Sequence, residues 1–310
     1  MNVAIFTDEP HAWHTRELKR ALRRRGRVGR IVDLRQCRID TTASASGLVI
    51  PGFPDALPSA AFVRGVPGGS LEQVVLRLDI LHALRELGVP VYNDARAIER
   101  SVDKAMTSFL LHQHGVTTPP TWATEEQSVA NRLLIKALAS GDSLVAKPLF
   151  GSQGKGLQRL ATMPADAPMA NGVAYLQRWL PPVGKGYRDW RVLVIGGRAV
   201  AAMRRESAHW VTNIAQGARP QPEDLDHPDN LELGQAASRA AAALGMDYAG
   251  VDLMRDGDGR VFVIEVNGVP AWRGLQRVTE PCIADLLIAD LLDRKLALAA
   301  PPLRLTGHAH

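Results

Sequence analysis

The first third of the chain alternates short apolar runs with amphipathic segments. The run VAIF predicts a strand, HTRELKRALRRRGR a helix, and VGRIVDL a second strand, and another apolar run follows at GLVIPG. Leu18 and Leu22 are four residues apart, which gives the first helix an apolar stripe. The segment SLEQVVLRLDILHALREL predicts a helix that ends near Gly88 and leads into a short strand. Strands that alternate with helices in this way indicate a parallel sheet in an α/β domain.

The middle of the chain begins with another helical pattern. Ile98, Val102, Met106 and Phe109 recur at helical spacing within DARAIERSVDKAMTSFLLHQHG, and Gly115 ends the helix. The segment TTPPTWA predicts an extended linker, because proline disfavours helix in the residue before it. These changes of pattern place domain boundaries near residues 95 and 180. The predicted domains are 1–95, 96–180 and 181–300.

Two turn signals divide the last third of the chain into hairpins. GYRDWRVLVIGGRAVAAMRRES turns at Gly196-Gly197, and AGVDLMRDGDGRVFVIEVNG turns at DGDG. Side chains alternate along a strand, so Asp189 and Arg191 share one face of the first hairpin. Arg204 and Arg205 must point to opposite faces, and at most one of them can face a site.

The composition is that of a folded globular protein. The chain has 310 residues, of which 46% are hydrophobic and 22% are charged, which supports a buried core. The net charge of +5 suits acidic ligands such as nucleotides and is too small to argue for nucleic acid. The arginine-rich first helix could form a nucleic-acid patch, but such a run is more often the solvated face of a surface helix.

The sequence also excludes several classes of site and location. Cys37 and Cys282 lie far apart, so neither a disulfide framework nor a zinc site is expected. No G-x-G-x-x-G follows the first strand, which argues against a dinucleotide site there. The N-terminus lacks the apolar core of a signal peptide, and no run of 18 apolar residues could span a membrane. We therefore expect a cytoplasmic protein without a membrane or nucleic-acid partner.

A glycine-rich loop follows a strand in SLVAKPLFGSQGKGL. Lys147 lies near the end of the strand, and Gly151, Gly154 and Gly156 let backbone N–H groups approach phosphate oxygens without a Cβ in the way. The spacing is not that of a Walker A loop, and a hairpin loop with a solvent-exposed lysine is the alternative. In AYLQRWLPP a short strand runs into prolines, which leaves free backbone groups that adenine could use beside Trp179.

The strand VFVIEVNG carries two polar residues where a buried strand should be apolar. Glu265 and Asn267 face the same way, and a carboxylate beside an amide oxygen suits Mg²⁺. If the turn centres between Gly257 and Asp258, Asp252 faces Val263, and Glu265 is its diagonal neighbour on the same face. Three oxygen ligands then converge, whereas a shift of one residue would turn Asp252 away. A solvent-facing edge strand is the alternative.

Taken in order, several short pieces of this chain resemble the motifs of the ATP-grasp superfamily. The pieces are SVDKAMT, VAKPLFGSQGKG, LQRWL, RDWRVLVIGG, MRR, TNIAQGA, GVDLM and EVNGVPAWRG. More narrowly, the chain is similar to the RimK-like amino-acid ligases over nearly its whole length. The resemblance implies an α/β ATP-grasp fold of three α/β domains, with ATP held between the central and C-terminal domains.

The resemblance also implies roles for individual residues. Lys104 and Lys147 would contact the ATP phosphates, and Asp189 would lie at the ribose or its rim. Arg205, with Lys147, would be catalytic. The implied metal ligands are Asp252, Glu265 and Asn267. The implied nucleotide-binding set is Lys104, Lys147, Gly151, Ser152, Gly154, Gly156, Gln177, Arg178, Trp179, Asp189, Arg191 and Asn213.

Two segments depart from the family pattern. Members often carry a basic residue before the glycine of the asparagine motif, where this chain has Gln216. The segment that members fill with NPSPG or NSSPG reads NGVPAWRG here. Both departures lie where the acceptor substrate is expected, so they affect acceptor choice and leave ATP and metal binding intact.

The implied activity is ATP-dependent ligation of a carboxylate to an amine. ATP with Mg²⁺, for which Mn²⁺ can substitute, would convert the acceptor carboxylate to an acyl phosphate. Glutamate or a similar amino acid would then attack it, with release of ADP and phosphate. The acceptor would be acidic: a pterin- or furan-type cofactor, a small peptide or a protein C-terminus. Related ligases often form homo-oligomers. A small-molecule kinase and a non-catalytic ATP-binding regulatory protein on the same fold are the alternatives.

Overall fold

The structure is a computed structural model that describes residues 1–43, 45–151 and 154–298. The chain divides into two compact units. The first comprises Met1–Ile98, Val269–Gln276 and Glu280–His310, and the second comprises Glu99–Gly268 and Arg277–Thr279. No helix among the described residues combines the length and the apolar composition that a membrane crossing requires.

The described part of the chain forms the following strands and helices. The strands are β1 (Asn2–Phe6), β2 (Val28–Val32), β3 (Arg38–Ile39), β4 (Leu48–Val49), β5 (Ala60–Val63), β6 (Val91–Tyr92), β7 (Thr121–Thr124), β8 (Leu144–Ala146), β9 (Gln158–Leu160), β10 (Ala174–Arg178), β11 (Tyr187–Ile195), β12 (Arg198–Ser207), β13 (Arg219–Glu223), β14 (Tyr248–Arg255) and β15 (Val261–Asn267). The helices are α1 (Trp13–Arg24), α2 (Leu71–Glu86), α3 (Ala95–Val102), α4 (Lys104–Gln113), α5 (Gln127–Ala139), α6 (Leu231–Leu244), α7 (Arg273–Gln276) and α8 (Ile283–Ala289).

The first unit contains the predicted parallel sheet. Its strand order is β2-β1-β5-β6, and all three ladders are parallel. Leu18 and Leu22 of α1 are fully buried, as the apolar stripe predicts. The apolar run GLVIPG does not join this sheet, because its strand β4 pairs antiparallel with β3. The third parallel strand is β5, whose four apolar residues are all buried; so short a run shows no periodicity by which it could be recognised.

The unusual segment NGVPAWRG contributes a buried tryptophan to the first unit. Trp272 is 1% exposed, and the Arg64 guanidinium lies 5.2 Å from the centre of its ring. His14 Nε2 accepts the backbone N–H groups of Trp272 and Arg273 at 3.1 and 3.2 Å. Burial, together with the charges of Arg64 and Arg273, lowers the pKa of His14 to about 4. The neutral imidazole therefore anchors this segment within the first unit.

The helix predicted to begin at residue 94 is interrupted. Asp103 separates α3 from α4, and its side chain accepts the backbone N–H groups of Ala105 and Met106 as an N-cap. The break changes the face that α4 buries, so the predicted apolar stripe was wrong beyond its first residue. Met106 and Phe109 are 42% and 57% exposed, and α4 buries Thr107, Ser108 and Leu111 instead.

The second unit is built on two antiparallel sheets, with strand orders β7-β10-β8-β9 and β13-β12-β11-β14-β15. The segment predicted as an extended linker is extended, but its last part forms strand β7 and pairs with β10. The predicted hairpin at Gly196-Gly197 is confirmed, since Ile195 pairs with Arg198. Helix α6 packs against β11, β12, β14 and β15.

The predicted hairpin between β14 and β15 is present, but its register differs from the prediction. Arg255 pairs with Val261, so the connection comprises residues 256–260 and has an odd number of residues. The prediction assumed a turn centred between two residues, which requires an even number of residues in the connection. The predicted pairing of Asp252 with Val263 was therefore wrong.

An irregularity in the same ladder returns the acidic residues to one face. Leu253 lies opposite Val263, and the register then shifts between Asp252 and Leu253, so that Asp252 lies directly opposite Glu265. Directly opposed residues share a face of the sheet. Asn267, two residues beyond Glu265, projects from that face as well. The three predicted oxygen ligands therefore lie on one face despite the wrong register.

Candidate active site

Both sheets of the second unit contribute residues to one pocket. The pocket holds about 980 Å³ of space between protein atoms, a volume that includes open solvent. The predicted residues that line it are Lys104, Lys147, Gly151, Gly154, Gln177, Arg178, Trp179, Asp189, Arg205, Asn213, Asp252 and Glu265. Of the described residues predicted for the site, Gly156, Arg191 and Asn267 do not line the pocket. Ser152 lies outside the described residues.

Four charged side chains form a network on one face of the five-stranded sheet. Asp189 lies opposite Arg205 on neighbouring strands, and Arg191 lies opposite Asp252. Arg205 donates to both carboxylate oxygens of Asp189, with an Nε–Oδ1 distance of 2.7 Å. Arg191 donates to both oxygens of Asp252, with an Nη2–Oδ2 distance of 2.8 Å. Arg205 Nη2 lies 3.1 Å from Asp252 Oδ1, which joins the two pairs.

Burial opposes the charges of Asp189, Asp252 and Arg205. It raises the pKa of Asp189, and the Arg205 guanidinium offsets only part of that effect. Burial acts the same way on Asp252, but Arg191 and Arg205 outweigh it and lower the pKa of that carboxyl. Burial opposes the charge of Arg205 too, yet Asp252 and Asp189 raise its pKa. Asp252 and Arg205 are therefore both ionised at neutral pH.

The neighbouring arginine on β12 points away from this network. Arg204 donates to Glu206 at 3.1 Å and to Glu223 at 3.2 Å. Arg205 lines the pocket, whereas Arg204 does not. The predicted opposition of the two side chains is confirmed, and it is Arg205 that faces the pocket.

The predicted metal ligands are not equivalent. Asp252 is engaged with two arginines, whereas among the described residues Glu265 has no hydrogen-bond or ion-pair partner. Asn267 donates its amide to the Gly250 carbonyl at 3.3 Å, which leaves its side-chain oxygen available. No three acidic, histidine or cysteine side chains within the described part of the chain form a metal-binding group. Two carboxylates and an amide oxygen remain a donor set that fits Mg²⁺.

Two lysines approach the pocket from the side of the four-stranded sheet. Lys147 Nζ donates to Gln177 Oε1 at 2.6 Å, and Gln177 Nε2 donates in turn to Thr121 at 3.2 Å. Burial lowers the pKa of Lys147 to about 8; Lys104 adds to this effect, whereas Glu265 opposes it. Burial also lowers the pKa of Lys104, whose Nζ donates to the Gly151 carbonyl at 3.0 Å. The two lysines are positioned to offset the charge of an anionic ligand.

The glycine-rich loop requires glycine at two of its positions. Gly154 and Gly156 have φ values of +69° and +72°, which other L-residues rarely adopt. A Cβ at Gly154 would lie 2.7 Å from Val211 Cγ1, and one at Gly156 would lie 2.8 Å from Pro148 Cγ. Gly151 has ordinary backbone angles and space for a Cβ. The loop therefore packs closely against the segment that follows β12.

That segment contains pocket residues that the sequence patterns did not reveal. Trp210 lies edge-on to Trp179, with 5.4 Å between ring centres, and both line the pocket. Thr212 Oγ1 donates to Asp189 Oδ2 at 2.6 Å. Asn213 caps a short 3₁₀ turn by accepting the Ala215 N–H at 2.9 Å. An aromatic residue and a hydroxyl in a loop have no periodicity, so only the motif asparagine was identified from the sequence.

Comparison with known families fits this architecture. A family model described as the RimK-like ATP-grasp domain matches residues 101–291. The chain belongs to the RimK-like ATP-grasp family. A second model, described as the RimK PreATP-grasp domain, matches residues 1–98 of this RimK-like chain. The predicted family is therefore confirmed.

Relatives of the RimK-like chain include named ligases. Tetrahydromethanopterin:alpha-L-glutamate ligase of Methanococcus maripaludis is 37% identical over 241 residues, which cover 75% of this chain and 78% of the relative. A probable alpha-L-glutamate ligase of Parasynechococcus marenigrum is 29% identical over 314 residues, which cover 96% of this chain and 62% of the relative. The homologues are thus alpha-L-glutamate ligases.

Solved structures confirm the α/β ATP-grasp fold. The ATP-grasp ligase PsnB, complexed with a minimal precursor, Mg and ADP, matches with a TM-score of 0.68 and 21% identity, over 93% of this chain and 96% of that one. The D-cycloserine synthetase DcsG matches with a TM-score of 0.66 and 21% identity, over 95% and 100% of the two chains.

Proposed function

We propose that this RimK-like protein is an ADP-forming ligase that joins glutamate, or a similar amino acid, to an acceptor carboxylate. The observation that carries the proposal is the buried Arg205 on the wall of a pocket that also holds Lys104 and Lys147. Phosphoryl transfer depends on positioning and on positive charge around the transferred group. The names of the relatives support glutamate as the amino acid and a pterin-type acid as one acceptor class.

The proposed reaction has two steps. A carboxylate is a poor electrophile, so an acceptor carboxylate oxygen first attacks the γ-phosphorus of ATP. The bond from that phosphorus to the bridging oxygen breaks, ADP leaves, and an acyl phosphate forms. The amino group then attacks the acyl carbon, the C–O bond to phosphate breaks, and the amine proton is released as the amide forms. Inorganic phosphate is the second product.

The residues of the pocket supply charge and position. Lys104 and Lys147 offset the charge of the phosphates, and the hydrogen bond from Lys147 to Gln177 fixes the ammonium group. Arg205 stabilises negative charge on the transferred phosphoryl group or on the tetrahedral oxyanion. Removal of one such donor typically weakens transition-state stabilisation by about 3 kcal/mol.

The oxygen donors on the other wall fit a divalent cation. Glu265, Asn267 and Asp252 would hold it, and when bound it would neutralise part of the charge of the phosphates. Because Glu265 has no partner among the described residues, its carboxylate is available without breaking an ion pair. Asp252 would retain contact with Arg191 or Arg205 through its second oxygen.

Capture of the acyl phosphate tests the proposal. The protein is incubated with ATP, Mg²⁺, a panel of candidate acids and hydroxylamine, without an amino acid, and the products are identified by mass spectrometry. The expected result is ADP together with a hydroxamate of one acid. With glutamate in place of hydroxylamine, the mass of the same acid should rise by one glutamyl residue per turnover.

The other products would decide against the proposal. AMP and pyrophosphate would show adenylation of the acid. A stable phosphorylated product that forms without an amine and does not react with hydroxylamine would show a kinase. ATP binding without turnover of any acid in the panel would support a regulatory protein.

A further inference from the structure

A hydroxyl group from the loop between β12 and β13 reaches the buried charge network. Thr212 Oγ1 lies 2.6 Å from Asp189 Oδ2 and donates a hydrogen bond to it. The same oxygen accepts a hydrogen bond from Arg205 Nη2, and Asp189 Oδ1 accepts one from Arg205 Nε at 2.7 Å. Asp189 therefore lies between a loop residue and the arginine that faces the pocket.

The ion pair that the threonine hydroxyl contacts is shielded from solvent. Asp189 is 2% exposed and Arg205 is 5% exposed, whereas Thr212 itself is half-buried. A carboxylate that loses a buried donor is free to turn about χ2, and a guanidinium fork that follows it loses its fixed plane. Arg205 Nη2 also lies 3.1 Å from Asp252 Oδ1, so the guanidinium is held between two carboxylates. The Thr212 hydroxyl restricts the plane of the Asp189 carboxylate, and with it the plane of the Arg205 guanidinium.

We propose that Thr212 is a positioning residue that acts through Asp189 to hold Arg205 in the orientation used for phosphoryl transfer. The role of Arg205 rests on the proposed function. Trp210 and Val211, which line the pocket, belong to the same loop. The position of this loop is therefore coupled to the orientation of Arg205, because displacement of the loop would break the hydrogen bond from Thr212 to Asp189.

The first test needs no substrate. Thr212→Val keeps the β-branched shape and removes the hydroxyl, and Thr212→Ser keeps the hydroxyl. The matched control is Ser207→Ala, which deletes a hydroxyl near the same loop. The Ser207 hydroxyl accepts a hydrogen bond from the His209 N–H at 3.0 Å and does not contact Asp189. With ¹⁵N-arginine, the Arg205 Nε–H resonance is assigned by its loss in Arg205→Lys, and its exchange with solvent is measured in each variant.

The expected result is faster exchange of the Arg205 Nε–H, by about tenfold, in Thr212→Val, because a hydrogen bond to a charged group is lost from the network. Thr212→Ser and Ser207→Ala should match the wild type. An unchanged exchange rate in Thr212→Val would overturn the proposal. If the valine variant does not fold, Thr212→Ala replaces it with the same expectation, since alanine introduces no additional bulk.

The second test separates positioning from nucleotide contact. We expect kcat to fall about tenfold in Thr212→Val, KM for ATP to stay within about twofold of the wild type, and Thr212→Ser to restore kcat. In an Arg205→Lys background the valine change should have little further effect, because both changes act on one group. A raised KM for ATP with unchanged kcat would mean that Thr212 contacts the nucleotide itself, and would overturn the proposal.

The positioning role and the ligase function can be refuted separately. A fast-exchanging Arg205 Nε–H in Thr212→Val, in a protein that turns over no acid or amine, would count against the ligase function and would support the positioning role. Turnover that is normal in every Thr212 variant would count against the positioning role and leave the ligase function supported.

Discussion

Replacement of Arg205 by methionine should destabilise the protein far more than the same change at Arg204. Methionine matches much of the arginine side chain in length and removes its charge. Asp189 then loses the one ion-pair partner that it has among the described residues, while Asp252 retains Arg191. Removal of one partner from a buried ion pair costs about 3–5 kcal/mol, because the remaining charge stays desolvated.

Arg204→Met is the matched control from the next position on the same strand. Its ion pairs with Glu206 and Glu223 are partly exposed, and such pairs contribute up to about 1 kcal/mol. The free energy of unfolding of both variants and the wild type is measured by urea denaturation at pH 8. Arg205→Met should therefore be less stable than Arg204→Met by about 1–5 kcal/mol.

The pH dependence provides a second check on the same variant. Burial already raises the pKa of Asp189, and loss of Arg205 removes the group that opposes this effect. In Arg205→Met the folded protein therefore binds a proton more readily than the unfolded chain does, so stability falls as pH rises. The destabilisation should be smaller at pH 5 than at pH 8. Equal losses in the two variants, or a loss at Arg205 that does not change with pH, would refute the assignment of a buried Asp189–Arg205 pair.

Three further changes test the remaining parts of the structure. Glu265→Gln should abolish Mg²⁺-dependent turnover and weaken Mn²⁺ binding, measured by calorimetry, with little change in unfolding free energy; normal Mn²⁺ affinity would argue against this residue as a ligand. Gly154→Ala should lower the affinity for ATP in a binding titration, because the added Cβ meets Val211 at 2.7 Å and φ is +69°; wild-type affinity would show that the loop moves aside easily. The pKa of His14 is lowered to about 4 in the folded protein. The free energy of unfolding should therefore fall as pH falls from 6.5 towards 4, because His14 is protonated there only in the unfolded chain. His14→Asn should lessen that loss in urea denaturation, and an unaltered pH profile in this variant would argue against a half-buried, neutral His14.

Local patterns in the sequence determined the features that depend on neighbouring residues. The spacing of Leu18 and Leu22 predicted the buried face of α1, and the Gly196-Gly197 pair predicted the turn between β11 and β12. Strand alternation alone required Arg204 and Arg205 to face opposite ways. These features follow from the geometry of a single helix or hairpin, and the structure confirms each of them.

Other features depended on contacts between segments that are distant in the sequence. The irregularity that places Asp252 opposite Glu265 lies within a ladder, and no residue type marks its position. Asp103 could equally have continued a helix, and only its capping of α4 shows that it ends one and begins another.

The surroundings of Arg205 show the same division most clearly. Strand alternation required Arg204 and Arg205 to face opposite ways, and the family resemblance selected Arg205 for the site. The partners of Arg205 come from β11, β14 and the loop that carries Thr212. These segments bury the Arg205 guanidinium, and β11 and β14 supply the carboxylates that stabilise its charge. Strand alternation within β12 therefore determined that the two arginines lie on opposite faces, and tertiary packing decided the electrostatic environment of Arg205.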